Sequence, residues 1–490
     1  MVEACDDRKH RAAASDLSVQ ITAWAATAII AFMGEAPTIA AISTALGAGA
    51  IGIVRLSGTA AINICDQVFR GTLPLAEAGS HTIHLGTIFD TTSGETVDEV
   101  LVSVMKAPAT YTREDIVEVN CHGNAVAQQK VLSLFLDHGA HLATPGEFTR
   151  RAFFNGRIDL AQAESVARIV SARTEAGLKM AVGQLEGVLS REIASIRSST
   201  LGVLAIVEAG IDFSDEDVDE IDASDAGKQL RQLRGRIDEL IETALTGRVL
   251  SEGVLTAIVG KPNVGKSSLL NSLVMRERAI VTETPGTTRD TIEEIISVGG
   301  IPLKLTDTAG LRPANDEVEK LGVERSRQAI READLILCLF DGSQREDDHD
   351  RALMTSVPAD RTIYVINKCD LFRGRPPVFN QGLLPSRPVV ISAMTRQGLR
   401  ILKEKVAEKV LGRSFPSPQS PVVTQERHRR LLADASEAIG RAEQGLRVRL
   451  GEELIAEELR LALRSLGEIT GEEIMEDLLD VIFQQFCIGK

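Results

Sequence analysis

Apolar residues along this chain follow two different periods, and the change from one to the other divides it. From Thr38 to about Ala143 they fall in short runs bounded by glycine or polar turns: AIGIVRLSG, HTIHLGTIF, EVLVSVMKA and DIVEVNCHG. Such runs predict strands. AVAQQKVLSLFLDHGA has helical spacing and a glycine stop, which makes this region α+β. Between Pro145 and about Gly247 the strand signals vanish, and helix formers carry apolar residues at three- and four-residue intervals, as in DLAQAESVARIVSARTEAGLKMAVGQL. The same texture returns from about Val422 to the C-terminus. Between the two helical stretches, Val254 to Leu411 alternates VLTAIVG, LKLTDTAG, LILCLFDG, RTIYVINK and PVVISAM with helical segments, the pattern of a parallel sheet with right-handed crossovers.

A chain of 490 residues exceeds what one core supports. The predicted fold class is therefore multidomain: an α+β N-terminal domain at 33–144, a helical bundle in two parts at 145–250 and 414–490, and an inserted α/β domain at 251–413. Residues 1–32 read as an extension. Val19 to Phe32 is apolar but too short to span a bilayer, and Glu3, Asp6 and Asp7 are wrong for the basic start of a signal peptide. Met33 precedes the first strand-like run, so a start codon assigned too early is the expectation, with a cytoplasmic protein and no membrane association.

The composition, 44% apolar and 25% charged, is ordinary for globular domains. A net charge of −15 argues against a general basic face for nucleic acid, so any RNA is held locally or by another subunit, unless the acidity only serves solubility. Six scattered cysteines form no C-x-x-C pair and suggest neither zinc nor a disulfide framework.

The chemistry lies in the inserted domain. Gly260-Lys-Pro-Asn-Val-Gly265-Lys266-Ser267 is a full G-x-x-x-x-G-K-S between a strand and a helix, the context this phosphate-binding motif needs. Gly265 lets backbone N–H groups approach phosphate, Lys266 reaches the β- and γ-oxygens, and Ser267 is a Mg2+ ligand. Asp307-Thr308-Ala309-Gly310 ends an apolar strand, where Asp307 supports Mg2+ through water and Gly310 senses the γ-phosphate. Asn367-Lys368-Cys369-Asp370 places Asp370 to accept two donors that guanine offers and adenine does not. Ser392-Ala393 completes the base pocket through backbone groups. Motifs in this order and spacing predict GTP. After the D-x-x-G run comes Leu311, which cannot orient water as the glutamine of Ras-type enzymes does, so catalysis must recruit another group.

With these motifs go Asn263, the Gly286-Thr287-Thr288-Arg289-Asp290 switch candidate, the D-T-A-G-L-R run continuing to Glu319, PGEFTRRAFFNGRIDLAQAE, IDFSDED and the terminal Phe486-Cys487-Ile488-Gly489-Lys490. Together they make the chain, from Thr38 to Lys490, resemble the MnmE (TrmE) family of tRNA modification GTPases. The resemblance implies a K+ ion held by Asn263, Thr282, Thr284 and Thr287, and Mg2+ held by Ser267 and Thr288. It implies GTP contacts that also include Val264 and Ser268, and catalytic roles for Glu319, Lys266 and Cys487. It further implies that the N-terminal domain binds a tetrahydrofolate derivative, 5-formyl or methylene, through Arg55, Glu118, Arg157 and Lys490 at a homodimer interface.

The implied partners are tRNA and the FAD-binding protein MnmG in a heterotetramer. The implied reaction adds a carboxymethylaminomethyl or aminomethyl group to carbon 5 of wobble uridine. The chain departs from the family pattern in places: Leu46-Gly-Ala48 lacks the proline and basic residue common in that loop, Arg113 replaces a frequent glycine, and Cys121 and Asn124 alter the usual G-H-G-G. The rival reading is a ribosome-assembly GTPase of the Era or Der type, but neither a KH domain with a G-x-x-G loop nor a second G domain is evident.

Overall fold

The computed structural model describes residues 36–45, 47–212, 223–274, 294–305, 328–372, 377–412, 420–474 and 476–489. The chain divides into two compact units, 1–158 with 477–490, and 159–476. The acidic SDEDVDEID run lies outside the described residues.

In the first unit, seven strands form one sheet: β1 (Ile39–Ile42), β2 (Ile51–Ser57), β3 (Phe69–Gly71), β4 (Thr82–Phe89), β5 (Thr96–Met105), β6 (Ile116–His122) and β7 (His141–Leu142). Their order is β3-β4-β5-β6-β2-β1-β7. Only β1 with β7 is a parallel pair; the rest are antiparallel. The four predicted runs became β2, β4, β5 and β6. Strands β3 and β7 escaped prediction because three and two residues are too few to show a period.

Alternation decides which face is buried. Val54 and Leu56 of β2, Val102 and Val104 of β5, and Val117 and Val119 of β6 pack against Val131 and Phe135 of the helix Ala125–Asp137. Asn124 caps that helix by accepting a hydrogen bond from the Val126 N–H at 2.8 Å.

The second unit joins a helical core to a second sheet. Helices Leu160–Ser171, Glu175–Leu185, Val188–Asp212, Ala223–Glu252, Glu426–Val448 and Glu452–Thr470 alternate apolar and polar faces at helical period. Ile193, Val203, Leu233, Ile237, Ile439, Leu459 and Leu466 share one core. Among the described residues, Val188–Ile211 is the one helix long and apolar enough to cross a bilayer. Its Leu189, Ile193, Ile196, Val203 and Val207 are buried in that helical core.

The second sheet contains β8 (Val254–Val259), β9 (Glu294–Val298), β10 (Ile301–Leu305), β11 (Leu335–Asp341), β12 (Thr362–Asn367) and β13 (Val389–Val390), in the order β13-β12-β11-β8-β10-β9. Five strands are parallel, as the apolar runs predicted. The sixth corrects the all-parallel expectation: β9 pairs antiparallel with β10. Gly299 and Gly300, at φ +62° and +84°, turn the chain tightly between them, so no crossover intervenes.

Candidate nucleotide site

The phosphate loop leaves the C-terminal end of β8 and runs into the helix Lys266–Val274. Asn263 sits at φ +64°, a left-handed conformation that asparagine tolerates better than most side chains. Gly265 is also left-handed, at φ +102°, and a Cβ there would run into the side-chain amide of Asn367. Its glycine is thus required twice, by conformation and by space. The Lys266 ammonium lies 2.8 Å from the carbonyls of both Gly260 and Lys261. Burial lowers its pKa, because water is withdrawn from the charge. Ser267 and Ser268 are exposed at the start of the helix, with Val264 buried beneath the loop.

The base-side motifs converge on this loop. Asn367 ends β12; its Nδ2 donates to the Val264 carbonyl at 2.8 Å and its Oδ1 accepts from the Ala393 N–H at 2.9 Å. The Cys369 N–H donates to the Ile391 carbonyl at 3.0 Å, which sets the two base-side loops side by side. Ser392 is buried and its hydroxyl accepts from the Thr395 N–H, whereas Asp370 is exposed in the turn Cys369–Phe372.

Lys368, left-handed at φ +67°, donates to Asp341 Oδ2 at 2.6 Å. Burial pushes the Asp341 pKa up, but hydrogen bonds from Lys368 and Ser343 outweigh it, and the net shift is downward. Sequence reasoning passed over Asp341; its signal was the Asp-Gly that closes the apolar run LILCLFDG.

Thus Asn263 to Ser268, Asn367, Lys368, Asp370, Ser392 and Ala393 come together at one end of the sheet. Thr282, Thr284, Thr287, Thr288, Asp307, Thr308, Ala309, Gly310 and Glu319 lie outside the described residues.

Two family models match the chain: the MnmE helical domain over residues 160–487, and the GTP-binding protein TrmE N-terminus over residues 38–157. The tRNA modification GTPase MnmE of Geobacillus thermodenitrificans is 46% identical over 94% of this chain and 100% of its own length. That of Exiguobacterium sibiricum is 44% identical, with the same two coverages. The chain belongs to the MnmE family of tRNA modification GTPases. It is a GTP hydrolase. A crystal structure of Aquifex aeolicus Era bound to GDP.AlF4- is 25% identical, covers 38% of this chain and 66% of its own, and has a TM-score of 0.23.

The residues that the MnmE resemblance assigned to folate lie in the first unit. Arg55 and Glu118 face each other across β2 and β6, with Arg55 Nε and Nη2 each 2.7 Å from Glu118 Oε1. Arg55 Nη1 also donates to the Gly489 carbonyl at 3.3 Å, and the guanidinium lies 5.5 Å from the centre of the Phe148 ring. Arg157 stacks 4.7 Å over Tyr111, which packs in the same apolar cluster as Phe148. Three of the four residues therefore gather in one neighbourhood, beside the C-terminal segment; Lys490 lies outside the described residues.

Cys487, which a packing role would have buried, is exposed, while Phe486 beside it is buried against Phe483. The departures from the family pattern have local accommodations too. Arg113 takes φ +62°, a conformation that costs glycine nothing, and its Nη1 donates to the Asn155 carbonyl at 2.8 Å. The Cys121 thiol is buried against the Gly52 carbonyl.

Proposed function

We propose that the chain is a potassium-dependent GTP hydrolase that works with the FAD-binding protein MnmG on tRNA, in the cytoplasm and without a membrane. Together they add a carboxymethylaminomethyl or aminomethyl group to carbon 5 of wobble uridine in certain tRNAs. The observation that carries the reading is the setting of Arg55, whose guanidinium meets Glu118, the Phe148 ring and the backbone of Gly489 in the C-terminal segment. A planar cation between a carboxylate and an aromatic ring suits a ligand with a flat heterocycle and an acidic tail. Arg157 over Tyr111 supplies a second guanidinium stacked on an aromatic ring. Tetrahydrofolate, as its 5-formyl or methylene derivative, has that chemistry and supplies the one-carbon unit. Arg55, Glu118, Arg157 and Lys490 hold it in this reading, and Cys487 acts as a thiol beside it.

On the nucleotide, Lys266 neutralises phosphate charge, Asp370 reads guanine and Glu319 positions the attacking water. The side-chain hydroxyls of Ser267 and Thr288 are hard donors suited to Mg2+, and the side-chain oxygen of Asn263 with the backbone carbonyls of Thr282, Thr284 and Thr287 suits K+. A fixed cation between the β- and γ-phosphates stabilises the charge that develops there.

The domain limits proposed are 33–144 for the folate-binding part, 251–413 for the G domain, and 145–250 with 414–490 for the helical part. A homodimer formed through the first unit is supported by the second face of its sheet, where Ile51, Ile83, Leu85 and Leu101 are exposed, Ile83 at 67%.

Nucleoside analysis of tRNA from a strain lacking this gene tests the function. The C5 substituent on wobble uridine is expected to disappear, to return with the intact chain, and to stay absent with Glu319→Ala. Unchanged nucleosides in the deletion strain overturn the reading.

A further inference from the structure

Lys261 is the second residue of the phosphate loop, a position where the motif demands no charge. Its ammonium reaches away from the loop to the helix Asp348–Ser356, 2.8 Å from Asp347 Oδ2 and 2.7 Å from Asp350 Oδ2. These carboxylates form the capping box that starts that helix. Asp347 Oδ1 accepts from the N–H groups of His349 and Asp350, and Asp350 Oδ2 accepts from the Asp347 N–H.

Asp350 is only 2% exposed, and its Oδ1 has no hydrogen-bond partner among the described residues. A carboxylate buried in that way depends on a cation against it. Burial lowers the Lys261 pKa, but the hydrogen bonds to Asp347 and Asp350 outweigh this and raise it, so the ammonium stays charged. The same residue has a second role through its backbone. Its carbonyl is one of the two that hold the Lys266 ammonium, at 2.8 Å. Side chain and carbonyl belong to one short segment, so fixing the first restricts the second.

We propose that Lys261 is a positioning residue for GTP binding. Its ion pair with Asp347 and Asp350 clamps the first half of the phosphate loop to the helix Asp348–Ser356, and thereby aims Lys266 before nucleotide arrives. Preorganisation of this kind lowers the ordering cost of binding, and it serves GTP and GDP alike. Its loss therefore raises Kd and KM more than it lowers kcat.

The test uses the full chain, fluorescent GDP and GTP analogues, steady-state hydrolysis and thermal unfolding. Lys261→Met keeps the aliphatic stem but removes the ammonium, and should weaken both nucleotides about tenfold. It should also lower Tm, because Asp350 is left without its cation. Adding Asp350→Asn removes that orphaned charge, so the double variant should recover Tm and keep the weakened affinity. Lys261→Arg should hold both near their native values. The proposal falls if Lys261→Met binds nucleotide normally, if affinity returns together with Tm in the double variant, or if Lys261→Arg binds as weakly as Lys261→Met.

Discussion

The side-chain amide of Asn367 donates to the carbonyl of Val264 at 2.8 Å, a buried bond between residues 103 positions apart. One side chain thus ties the end of β12 to the phosphate loop, and its other end accepts from Ala393 in the base-side loop. Both nucleotide-facing loops depend on it. Asn367→Ala leaves two buried backbone groups unpaired, at about 1–3 kcal/mol for each such group. Denaturant unfolding should show a loss of that order, with affinity falling for GTP and GDP together. Native stability in the variant would remove Asn367 as the tie.

Asp370 is exposed in its turn, where it is free to meet a ligand rather than being spent on the fold. Asp370→Asn replaces the acceptor of two guanine donors and should weaken GTP binding while improving that of xanthine nucleotide, which offers a carbonyl in place of the amine. Competition binding with both nucleotides reads the switch. Tight GTP binding with no gain for xanthine contradicts the base-pocket role.

Asn263 is exposed at φ +64° at the crest of the phosphate loop, beside the Val264 carbonyl that Asn367 holds. If its side-chain oxygen helps hold K+, turnover should rise strongly from sodium to potassium buffer, and Asn263→Ala should erase that difference. The conformation favours asparagine over alanine, so Asn263→Asp serves as the control that tolerates the same backbone. Equal native rates in the two salts end the assignment.

Glu164 is buried against Arg427, at 3.0 Å, and His428, at 2.8 Å, within the helical core of the second unit. Arg168 on its own helix adds a further positive charge that interacts with it. Burial pushes the Glu164 pKa up, but the charge and hydrogen bond of His428, followed by those of Arg427, outweigh it and leave the group at about 2, down from 4.5. A depressed carboxylate contributes stability that is full above its unfolded pKa and is lost as pH falls through the folded one. The stability gap between the native chain and Glu164→Gln should therefore be widest above about pH 5 and narrow towards pH 2. Urea unfolding across that range measures it, and a gap independent of pH refutes the linkage.

Local order along the chain determined much of this protein. Alternation marked β2, β4, β5 and β6, and apolar runs ending in glycine or polar residues marked β8 and β10 to β13, because a strand's period is written in consecutive residues. The nucleotide motifs were legible for the same reason: a phosphate loop is one short segment whose glycine and lysine must be neighbours.

Tertiary structure alone decided which distant groups meet. No spacing rule foretells that Arg55 would reach the carbonyl of Gly489, 434 positions on, or that Lys261 would cross to Asp350. Those pairings depend on the order in which strands enter the sheet and on where each helix begins. The antiparallel β9 was hidden likewise, since EIISV has too few residues to announce a direction, and only its hairpin partner β10 supplies one. Charge pairs such as Glu164 with His428 read in sequence as ordinary polar positions, because burial is conferred by the elements that close over them and not by the residues themselves.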